Sequence, residues 1–406
     1  MDGQNEAGDG TGAGSAEREV DAAMLTIYLN RTYATNAHFI QLLRDNPDGC
    51  AVRVLGSHSD LDSPVLAACD EVHPEPPAGV TGAEYAEWAL RFTLEHRVDV
   101  FVPRLEQYAI AREADRFRAA GVAVLAPPAE AVALFDDKAA AYVDARERGV
   151  PVPPFRVVRT AQELLDAYAD LAAAVGRVCM KPVRGVGGDG YRELVAQEPT
   201  LADLLGPLPP TVSVRSAAAT LAATTEPVPE LLVMPYLPGP EVSVDVLADR
   251  SGTALCAIGR VKQGRRRALV DDRPAREIAE LLVAAHGVSG LSNTQVRYWR
   301  APEDPEPRPY LLEVNTRASG GLFQTAQAGV NLPWAAVRLA LGEDPPLDPP
   351  VLGTQYTTVP TVVPLTAAST SRTDSPNTVL ECPSIKPSPV PADGRRGADV
   401  LSGPDL

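Results

Sequence analysis

Cysteine and histidine are scarce in this sequence, and neither is arranged as a binding site would require. The 406 residues include five cysteines and five histidines. The cysteines are far apart and include no CxxC pair, so neither a disulfide framework nor a zinc site is indicated. They are Cys50, Cys69, Cys179, Cys256 and Cys382. We expect buried thiols and surface imidazoles instead.

Long apolar runs and an excess of positive charge are also absent. No stretch approaches the roughly 18 apolar residues of a membrane span, and the first residues are polar and acidic, unlike a signal peptide. The net charge of -16 disfavours nucleic acid and membrane surfaces as partners, because an acidic protein repels both. Any anionic ligand therefore needs a local basic site. The sequence predicts a cytoplasmic protein that binds neither nucleic acid nor membrane.

The amino-terminal region, residues 23–127, alternates apolar strands with helical segments. This order predicts an α/β domain with a doubly wound parallel sheet. No GxGxxG motif follows the first strand, so a nicotinamide cofactor is not supported. Arg104 and Glu106 follow a strand at the edge where such sheets bind ligands, although a solvated ion pair is the preferred interpretation of the two.

A second region, residues 128–365, follows a proline-rich boundary, and Lys138 lies near its entrance. Residues 1–22 and 366–406 have little apolar periodicity, so we predict that both ends of the chain are disordered. The segment 199–229 is rich in Pro, Ala and Thr, and we interpret it as a surface insertion with a short helix.

The first polar motif of the second region follows an apolar strand. Lys181 stands at the end of the strand predicted over 177–181, and a glycine-rich loop comes next. Glycines let the backbone N–H groups of such a loop close around an anion. The loop glycines are Gly185, Gly187, Gly188 and Gly190.

The second polar motif ends the strand predicted over 309–314. Glu313 and Asn315 project from one face, because side chains two apart in a strand point the same way. Arg317 follows directly. A carboxylate, an amide and a guanidinium together suit Mg²⁺ and a transferring phosphate. On these residues alone, a strand end with a solvated polar turn is an equal alternative.

The order of features along the chain resembles the ATP-grasp superfamily. That order is a lysine at a strand end, a glycine loop, an apolar strand followed by Gly-x-Glu, a polar strand, and Glu-x-Asn-x-Arg. The resemblance implies an amino-terminal doubly wound parallel βα domain followed by an ATP-grasp fold of two α+β subdomains. The smaller subdomain would span about 150–235 and the carboxyl-terminal one about 236–365.

The resemblance implies an ATP site and assigns residues to it. Lys181 and the glycine loop match the groups that hold phosphates. The segment from Met234 matches the hinge that reads adenine, through the Pro235 carbonyl and the Leu237 N–H, and Glu241 matches the acid that binds the ribose. The full set is Lys138, Lys181, Gly185, Gly187, Gly188, Gly190, Met234, Pro235, Tyr236, Leu237, Glu241 and Lys262.

The resemblance also implies a metal site and catalytic cations. Gln295, Glu313 and Asn315 match the metal positions, where Mg²⁺ is expected and Mn²⁺ is an allowed substitute. Gln295 departs from the commoner carboxylate, although its carbonyl oxygen can still coordinate. Arg317, with Lys181, matches the cations that stabilise the transferred phosphoryl group.

Substrate contacts are the least constrained part of the interpretation. Arg260 and Lys262 lie on a strand where relatives hold a phosphate, and a surface strand explains them equally well. Arg265, Arg266 and Arg267 are able to hold a carboxylate, but a solvated turn is the preferred interpretation. The candidate substrate residues are Arg260, Arg265, Ser319 and Gly320.

A member of this superfamily would use Mg²⁺ and ATP to convert a small-molecule carboxylate to an acyl phosphate, which an amine attacks. We expect an amino acid or a short peptide as the carboxylate, and a homodimer is compatible with the resemblance. One alternative is a bicarbonate-activating carboxylase or carbamoyl phosphate type of enzyme. Another is an inactive nucleotide-binding regulatory protein, against which the complete set of Lys181, Glu313, Asn315 and Arg317 argues.

Overall fold

The computed structural model describes residues 24–31, 34–185, 188–198, 200–205 and 210–359. The two chain ends that we predict to be disordered lie outside these residues, as does Gly187 of the glycine loop. Within the described ranges no helix combines the length and apolar character needed to cross a membrane.

The strands of the described chain belong to three sheets. They are β1 (Leu25–Leu29), β2 (Val52–His58), β3 (Glu71–Pro74), β4 (Val100–Val102), β5 (Ala123–Val124), β6 (Arg156–Val158), β7 (Val178–Pro182), β8 (Arg192–Val195), β9 (Thr211–Ser213), β10 (Leu231–Pro235), β11 (Glu241–Ala248), β12 (Ala254–Gln263), β13 (Arg266–Val270), β14 (Gly290–Trp299), β15 (Arg308–Asn315) and β16 (Gln355–Tyr356).

The α-helices connect and cover these strands, with 3-10 turns at Pro64–Ala68 and Leu322–Ala328. They are α1 (Asn36–Arg44), α2 (Gly82–Glu95), α3 (Gln107–Arg112), α4 (Ala114–Ala119), α5 (Ala129–Asp136), α6 (Lys138–Glu147), α7 (Ala161–Val175), α8 (Leu201–Leu205), α9 (Val214–Ala223), α10 (Arg273–Ala285) and α11 (Leu332–Leu341).

The amino-terminal sheet has five strands in the order β3-β2-β1-β4-β5, and every pair in it is parallel. Alternate side chains of β1 enter two different cores. Ile27 shares a core with Phe39 of α1, whereas Tyr28 shares another with Tyr85 and Phe92 of α2. Both faces of the central strand are therefore buried, which explains its nearly continuous apolar run.

The other two sheets are built from antiparallel pairs, with one parallel pair between β8 and β9. One sheet runs β6-β10-β7-β8-β9 and the other runs β15-β14-β11-β12-β13-β16. The chain is thus a mixed α/β protein with parallel and antiparallel sheets, as predicted. The antiparallel register decides which polar side chains of distant segments face one another.

The interpretation of 199–229 as a surface insertion is wrong for the described part of that segment. β9 pairs with β8, and α9 packs small side chains, including Ala217 and Ala218, into the core that also holds Leu164 and Leu171 of α7. Alanine carries no strong periodic signal, yet it lets two helices approach closely. The segment completes the second sheet and its helical layer.

Candidate active site

Three oxygen-bearing side chains meet where β14 and β15 pair. Gln295 of β14 lies opposite Glu313 of β15 in the antiparallel register. Asn315 is on the same face of β15, and its Nδ2 donates to Glu313 Oε1 over 3.1 Å. Val314, between them, is buried on the opposite face. The predicted metal residues are therefore neighbours in space.

A β-bulge interrupts the pairing of these two strands and places a carbonyl beside the site. Gln295 pairs with Glu313, but the next residue of β14 pairs with Leu311, so Leu312 is an extra residue. The Leu312 carbonyl accepts hydrogen bonds from Lys181 Nζ (3.0 Å) and from the Tyr142 hydroxyl (2.9 Å). The bulge thereby anchors a lysine that comes from another sheet.

Lys181 and Lys138 converge near Glu313. Burial lowers the pKa of Lys181 to about 8, although the Glu313 carboxylate opposes this shift and Lys138 adds to it. Lys138 is 7% exposed, donates from Nζ to the Gly185 carbonyl over 2.7 Å, and lies 3.9 Å from Glu313 Oε2. A buried and a half-buried lysine beside one carboxylate form a site that favours an additional anion.

A cavity of about 260 Å³ lies between the second and third sheets and gathers most of the predicted nucleotide residues. One wall is apolar, with Met234, Leu237 and Leu312, and the other carries polar groups. The predicted residues that line it are Lys138, Lys181, Gly185, Gly188, Met234, Leu237, Glu241, Gln295 and Glu313. A narrow apolar slot with cations at one end can accept a flat ring joined to phosphates.

Cys179 and Arg297 also line this cavity, and we had not selected either of them. Burial raises the pKa of Cys179 to about 11, so its thiol is unreactive there. Arg297 lies 3.3 Å from Glu241 Oε2 through Nε and donates from Nη1 to the Leu237 carbonyl over 2.9 Å. Because Arg297 is two residues from Gln295 on the same strand, strand periodicity was a signal for it.

The glycine loop requires backbone conformations that side chains disfavour. Gly188 has φ +78° and Gly190 has φ +73°. A Cβ at Gly190 would approach Pro182 Cγ to 2.7 Å, so only glycine fits there without displacement. Gly185 and Gly188 line the small cavity, whereas Gly190 supports the loop from behind.

A second cavity, of about 740 Å³, adjoins the first and shares three wall residues with it, Lys138, Gly185 and Glu313. Asn315 and Arg317 line this larger cavity. Arg317 is half-buried, and among the described residues it has no hydrogen bond or ion pair. Its guanidinium is therefore available to a ligand beside Glu313 and Lys138.

Arg260, Ser319 and Asp245 form a buried network outside both cavities. Asp245 is fully buried, and it accepts from Arg260 Nε, from Ser319 Oγ (2.9 Å) and from Asn293 Nδ2 (2.8 Å). Burial opposes the charged form of Arg260, but the Asp245 carboxylate outweighs this effect and raises the pKa. Arg260 and Ser319 thus support the strands, with no exposure to the cavity space.

The remaining predicted residues lie beside the cavities or away from them. The carbonyl of Pro235 accepts from the Cys179 thiol at 3.6 Å, and Tyr236 stacks under Arg177 at 3.6 Å, outside the cavity lining. Gly320 has no place in either lining, and Lys262 and Arg265 are exposed near the β12–β13 hairpin. Arg266 and Arg267 belong to a paired strand, which corrects their interpretation as a solvated turn.

One group of potential metal ligands lies elsewhere in the described chain. Glu71, His73 and His96 bring ligand atoms within 4.8 Å of one another at the edge strand β3 and the end of α2. Sequence spacing did not indicate this group, because its members come from separate elements. It lines neither of the two cavities.

Comparison with protein families gives a match over residues 227–361, to a model described as "ATP-grasp in the biosynthetic pathway with Ter operon". Among curated proteins, a D-alanine–D-alanine ligase of Gloeobacter violaceus is 31% identical over 188 residues, which cover 41% of this chain and 54% of the relative. A carbamoyl phosphate synthase large chain of Corynebacterium glutamicum is 27% identical over 249 residues, which cover 56% of this chain and 20% of the relative.

The chain spans about half the length of the first of these relatives and about a fifth of the second. Among solved structures, an ADP complex of N5-carboxyaminoimidazole ribonucleotide synthetase has a TM-score of 0.56 at 15% identity, covering 82% of this chain and 80% of that one. The biotin carboxylase domain dimer of Hydrogenobacter thermophilus 2-oxoglutarate carboxylase, with MgADP and bicarbonate, has a TM-score of 0.55 at 16% identity, covering 81% and 73%. These structures share its fold.

Proposed function

Because the chain belongs to the ATP-grasp superfamily, we propose that it is an ATP-dependent ligase that joins a small-molecule carboxylate to an amine. The observation that carries this proposal is the common wall of the two cavities. Lys138, Gly185 and Glu313 line both, so a phosphate group in the small cavity and a carboxylate in the large one would meet at the same three residues. Such a meeting point is what direct phosphoryl transfer requires.

The small cavity is the proposed ATP site. Adenine would lie against Met234 and Leu237, the ribose near Glu241, and the phosphates near Lys181 and Lys138. Burial disfavours the charged form of Lys181 in the free protein. Bound phosphates would favour that charged form and so raise the pKa of Lys181 again. Arg297 would hold Glu241 in position from the cavity wall.

Gln295, Glu313 and Asn315 are the proposed Mg²⁺ residues, and the groups present fit that ion. The amide nitrogens of Gln295 and Asn315 donate to Asn293 and Glu313, which leaves their carbonyl oxygens as the coordinating atoms. Carboxylate and carbonyl oxygens are the ligands that Mg²⁺ and Mn²⁺ prefer. When bound, the ion would neutralise charge on the phosphates of ATP.

The proposed reaction has two steps. A carboxylate oxygen attacks the γ-phosphorus of ATP, the bond to the β-phosphate oxygen breaks, and ADP leaves. The amine nitrogen then attacks the acyl carbon, the bond to phosphate breaks, and the nitrogen loses a proton. Arg317 and Lys181 would stabilise the negative charge that develops in both steps, and no side-chain nucleophile is needed.

The size of the large cavity favours this reaction over activation of bicarbonate alone. A volume of about 740 Å³ is in the range of sites for whole organic ligands, and bicarbonate has only four heavy atoms. The presence of Glu313, Asn315 and an Arg317 that has no partner among the described residues disfavours an inactive nucleotide-binding protein, since adenine contacts alone would suffice for binding.

The experiment is to measure ADP and phosphate release by the purified full chain, across pairs of amino acids and with and without bicarbonate. We expect release that requires a carboxylate and an amine and that Glu313→Ala abolishes. If no pair releases phosphate and Glu313→Ala leaves ATP affinity unchanged, the ligase proposal fails. Turnover that needs bicarbonate but no amino acid would instead support the carboxylase alternative.

We further propose a division of the described chain into an amino-terminal doubly wound domain, residues 23–127, and an ATP-grasp domain, residues 128–365. The change from an all-parallel sheet to largely antiparallel sheets after β5 supports this division. We also propose that the protein forms a homodimer and that it is cytoplasmic.

A further inference from the structure

Two arginines of the large cavity lie at the strand ends where a parallel sheet binds ligands. Arg31 follows β1 by two residues, and Arg104 follows β4 by two residues. In the order β3-β2-β1-β4-β5, β2 and β3 lie on one side of β1, and β4 and β5 lie on its other side. The chain therefore changes direction between β1 and β4, and open α/β sheets bind ligands at that crevice.

A buried asparagine fixes the loop that carries Arg104. Asn30 has no exposed surface, and its Oδ1 accepts from the backbone N–H groups of Arg104 (2.5 Å) and Leu105 (3.2 Å). Its Nδ2 donates to the Leu105 carbonyl (2.9 Å) and to the Tyr85 hydroxyl (3.0 Å). Arg104 is thus presented from a loop held by three hydrogen bonds to one side chain, which a fourth hydrogen bond ties to Tyr85 of α2.

A buried carboxylate fixes Arg31 in a similar way. Glu75 has a fully buried side chain and accepts from the Arg31 backbone N–H (2.7 Å) and from Arg31 Nε (2.8 Å). Ser57 also donates to Glu75, over 3.2 Å. The Arg31 side chain is therefore held by a buried carboxylate, and the backbone that carries Arg104 is held by a buried amide, before any ligand arrives. Such order reduces the entropy lost on binding.

The lining of this cavity has more basic than acidic side chains although the protein is acidic, and two of the cations have carboxylate partners: Arg31 pairs with Glu75, and Arg184 with Asp136 and Asp137. Five basic side chains contribute to it, against the three carboxylates Glu106, Asp136 and Glu313, in a chain with a net charge of -16. The basic side chains are Arg31, Arg104, Lys138, Arg184 and Arg317. A basic recess in an acidic protein concentrates anions.

Two groups of polar side chains from different parts of the chain line the cavity. Glu313, Asn315 and Arg317 occupy the end next to the proposed ATP site, whereas Arg31 and Arg104 lie at the β1–β4 crevice. Gln107 joins the two sides, since its Nε2 donates to the Thr316 carbonyl over 2.8 Å and its Oε1 accepts from the Thr316 hydroxyl over 3.1 Å. A ligand spanning the cavity would present one group to each end.

We propose that the carboxylate substrate carries a second anionic oxygen group, a carboxylate or a phosphate ester, which Arg31 and Arg104 bind. This inference rests on the proposed function, because the activated carboxylate is assigned to the other end of the cavity. The second group would bind to two guanidinium ions, which recognise carboxylate and phosphate with paired hydrogen bonds. The substrate therefore carries at least two anionic groups at neutral pH.

The test compares matched ligands that differ only in the second charge. Binding to the full chain is measured by calorimetry, with a non-hydrolysable ATP analogue and Mg²⁺ present, for L-glutamate against L-glutamine, L-aspartate against L-asparagine, and O-phospho-L-serine against L-serine. In at least one pair we expect the anionic member to bind about tenfold or more tightly, because a hydrogen bond to a charged group is worth about that factor. The responding pair distinguishes a carboxylate from a phosphate ester.

Variants connect the preference to the two arginines. Arg104→Gln and, separately, Arg31→Gln are expected to remove the preference for the anionic member while leaving the affinity for the ATP analogue unchanged. Arg91→Gln, an exposed arginine on α2, is the matched control and should keep the preference. If an arginine variant does not fold, the comparison of ligands in the unmodified protein still tests whether the second anionic group is recognised.

Equal binding of both members of every pair, including no binding of either, overturns the inference, as does a preference that survives in both arginine variants. These outcomes differ from failure of the ligase proposal. An anion preference that depends on Arg31 and Arg104, without phosphate release from any substrate pair, would keep the anion site and reject the ligase. Phosphate release with no anion preference would keep the ligase proposal and reject the anion site.

Discussion

The two cavities that meet at Glu313 are built from different parts of the fold. The small cavity is formed by side chains of paired strands, including Lys181 on β7 and Gln295 on β14, and its register positions them. The large cavity is formed by the loops after β1, β4 and β15 together with helices α3 and α5. The small cavity has two lysines in a narrow space, whereas the large cavity has arginines in a wider space.

This difference in construction indicates which part of the site is fixed by the fold and which part can vary with the substrate. Residues on paired strands cannot shift without moving the whole sheet, which suits a site for a nucleotide and a metal ion. Loops tolerate replacement, so a cavity made by loops can be adapted to a particular substrate. We therefore expect changes in the small cavity to affect ATP and changes in the large one to affect the second substrate.

The strongest test of this separation is a residue that belongs to both cavities. Glu313→Gln keeps the size of the side chain but removes the charge that would hold Mg²⁺. We expect turnover to fall by about 10²–10³-fold, a loss typical of removing a key electrostatic group, with weaker ATP binding as well. Phosphate release and nucleotide titration measure the two effects, and Glu306→Gln, an exposed carboxylate, is the control. Undiminished turnover would contradict the assignment of Glu313 to the metal.

Two arginines near β15 allow a sharper division between binding and support. Arg317 is unpaired within the described chain, and we expect Arg317→Gln to lower kcat by about 100-fold with little change in the free energy of unfolding. Asp245→Asn should instead lower the free energy of unfolding, because it disrupts the network around Arg260. It leaves a buried guanidinium without its carboxylate, which costs about 3–5 kcal/mol of stability.

Denaturant unfolding and steady-state kinetics on both variants check this division. A stable Arg317→Gln protein with normal kcat would remove Arg317 from the chemistry. If Asp245→Asn had normal stability, the buried Arg260 would have to be neutralised by some other group.

The pH dependence of ATP binding tests the small cavity by itself. Burial lowers the pKa of Lys181 from its ordinary value of 10.5 to about 8, so in the free protein this lysine loses its charge above that pH. We expect ATP affinity to fall by up to about tenfold per pH unit above pH 8, measured by nucleotide titration. Lys181→Arg, which stays charged, should abolish this fall, whereas a fall that persists in the variant would have another origin.

The same shift predicts how stability without nucleotide varies with pH. Between pH about 8 and 10.5 the unfolded lysine binds a proton that the folded one has lost, so the free energy of unfolding rises with pH in that window. Denaturation midpoints at several pH values measure it. Lys181→Met should flatten the rise, since the variant has no titrating group at this position.

The smallest expected effect concerns the loop that covers the small cavity. Gly188 has φ +78° with open space around its Cα, so Gly188→Ala introduces only backbone strain, about 1–2 kcal/mol. We expect a loss of turnover below about tenfold, larger than the loss from Tyr236→Phe in the adenine hinge. Turnover numbers for the two variants decide the order, and normal turnover in Gly188→Ala would refute a closing role for the loop.

The superfamily and the mixed α/β fold were predictable from sequence because they depend on order along the chain. Lys181, the glycines, Glu313 and Asn315 are strand-end and loop motifs with local spacing, and a reader of the sequence can find them without knowing the pairing. Their roles remain predictions, but the structure places most of them around one cavity. Lys262 is assigned through the resemblance and Arg265 through its charge, and both are exposed.

The large cavity was harder to predict because its walls come from segments far apart in sequence. Arg31 gave no motif, and Glu75, which orients it, belongs to a strand end that we had not identified. Arg104 carries a signal through its position after β4, but a solvated ion pair with Glu106 is the preferred interpretation from sequence. The helix α5, whose Val132 and Phe135 line the cavity, was missed for a related reason, since its alanine-rich sequence has a weak periodic pattern.

The wall shared by the two cavities also bears on the kinetics of the protein. Lys138 binds the Gly185 carbonyl and lies 3.9 Å from Glu313, so a phosphate that attracts this lysine must change both neighbours. Occupation of one cavity then alters the affinity of the other, and thermodynamic reciprocity makes the two effects equal. The ligands would not bind independently, and their association should show cooperativity, with a preferred order of addition.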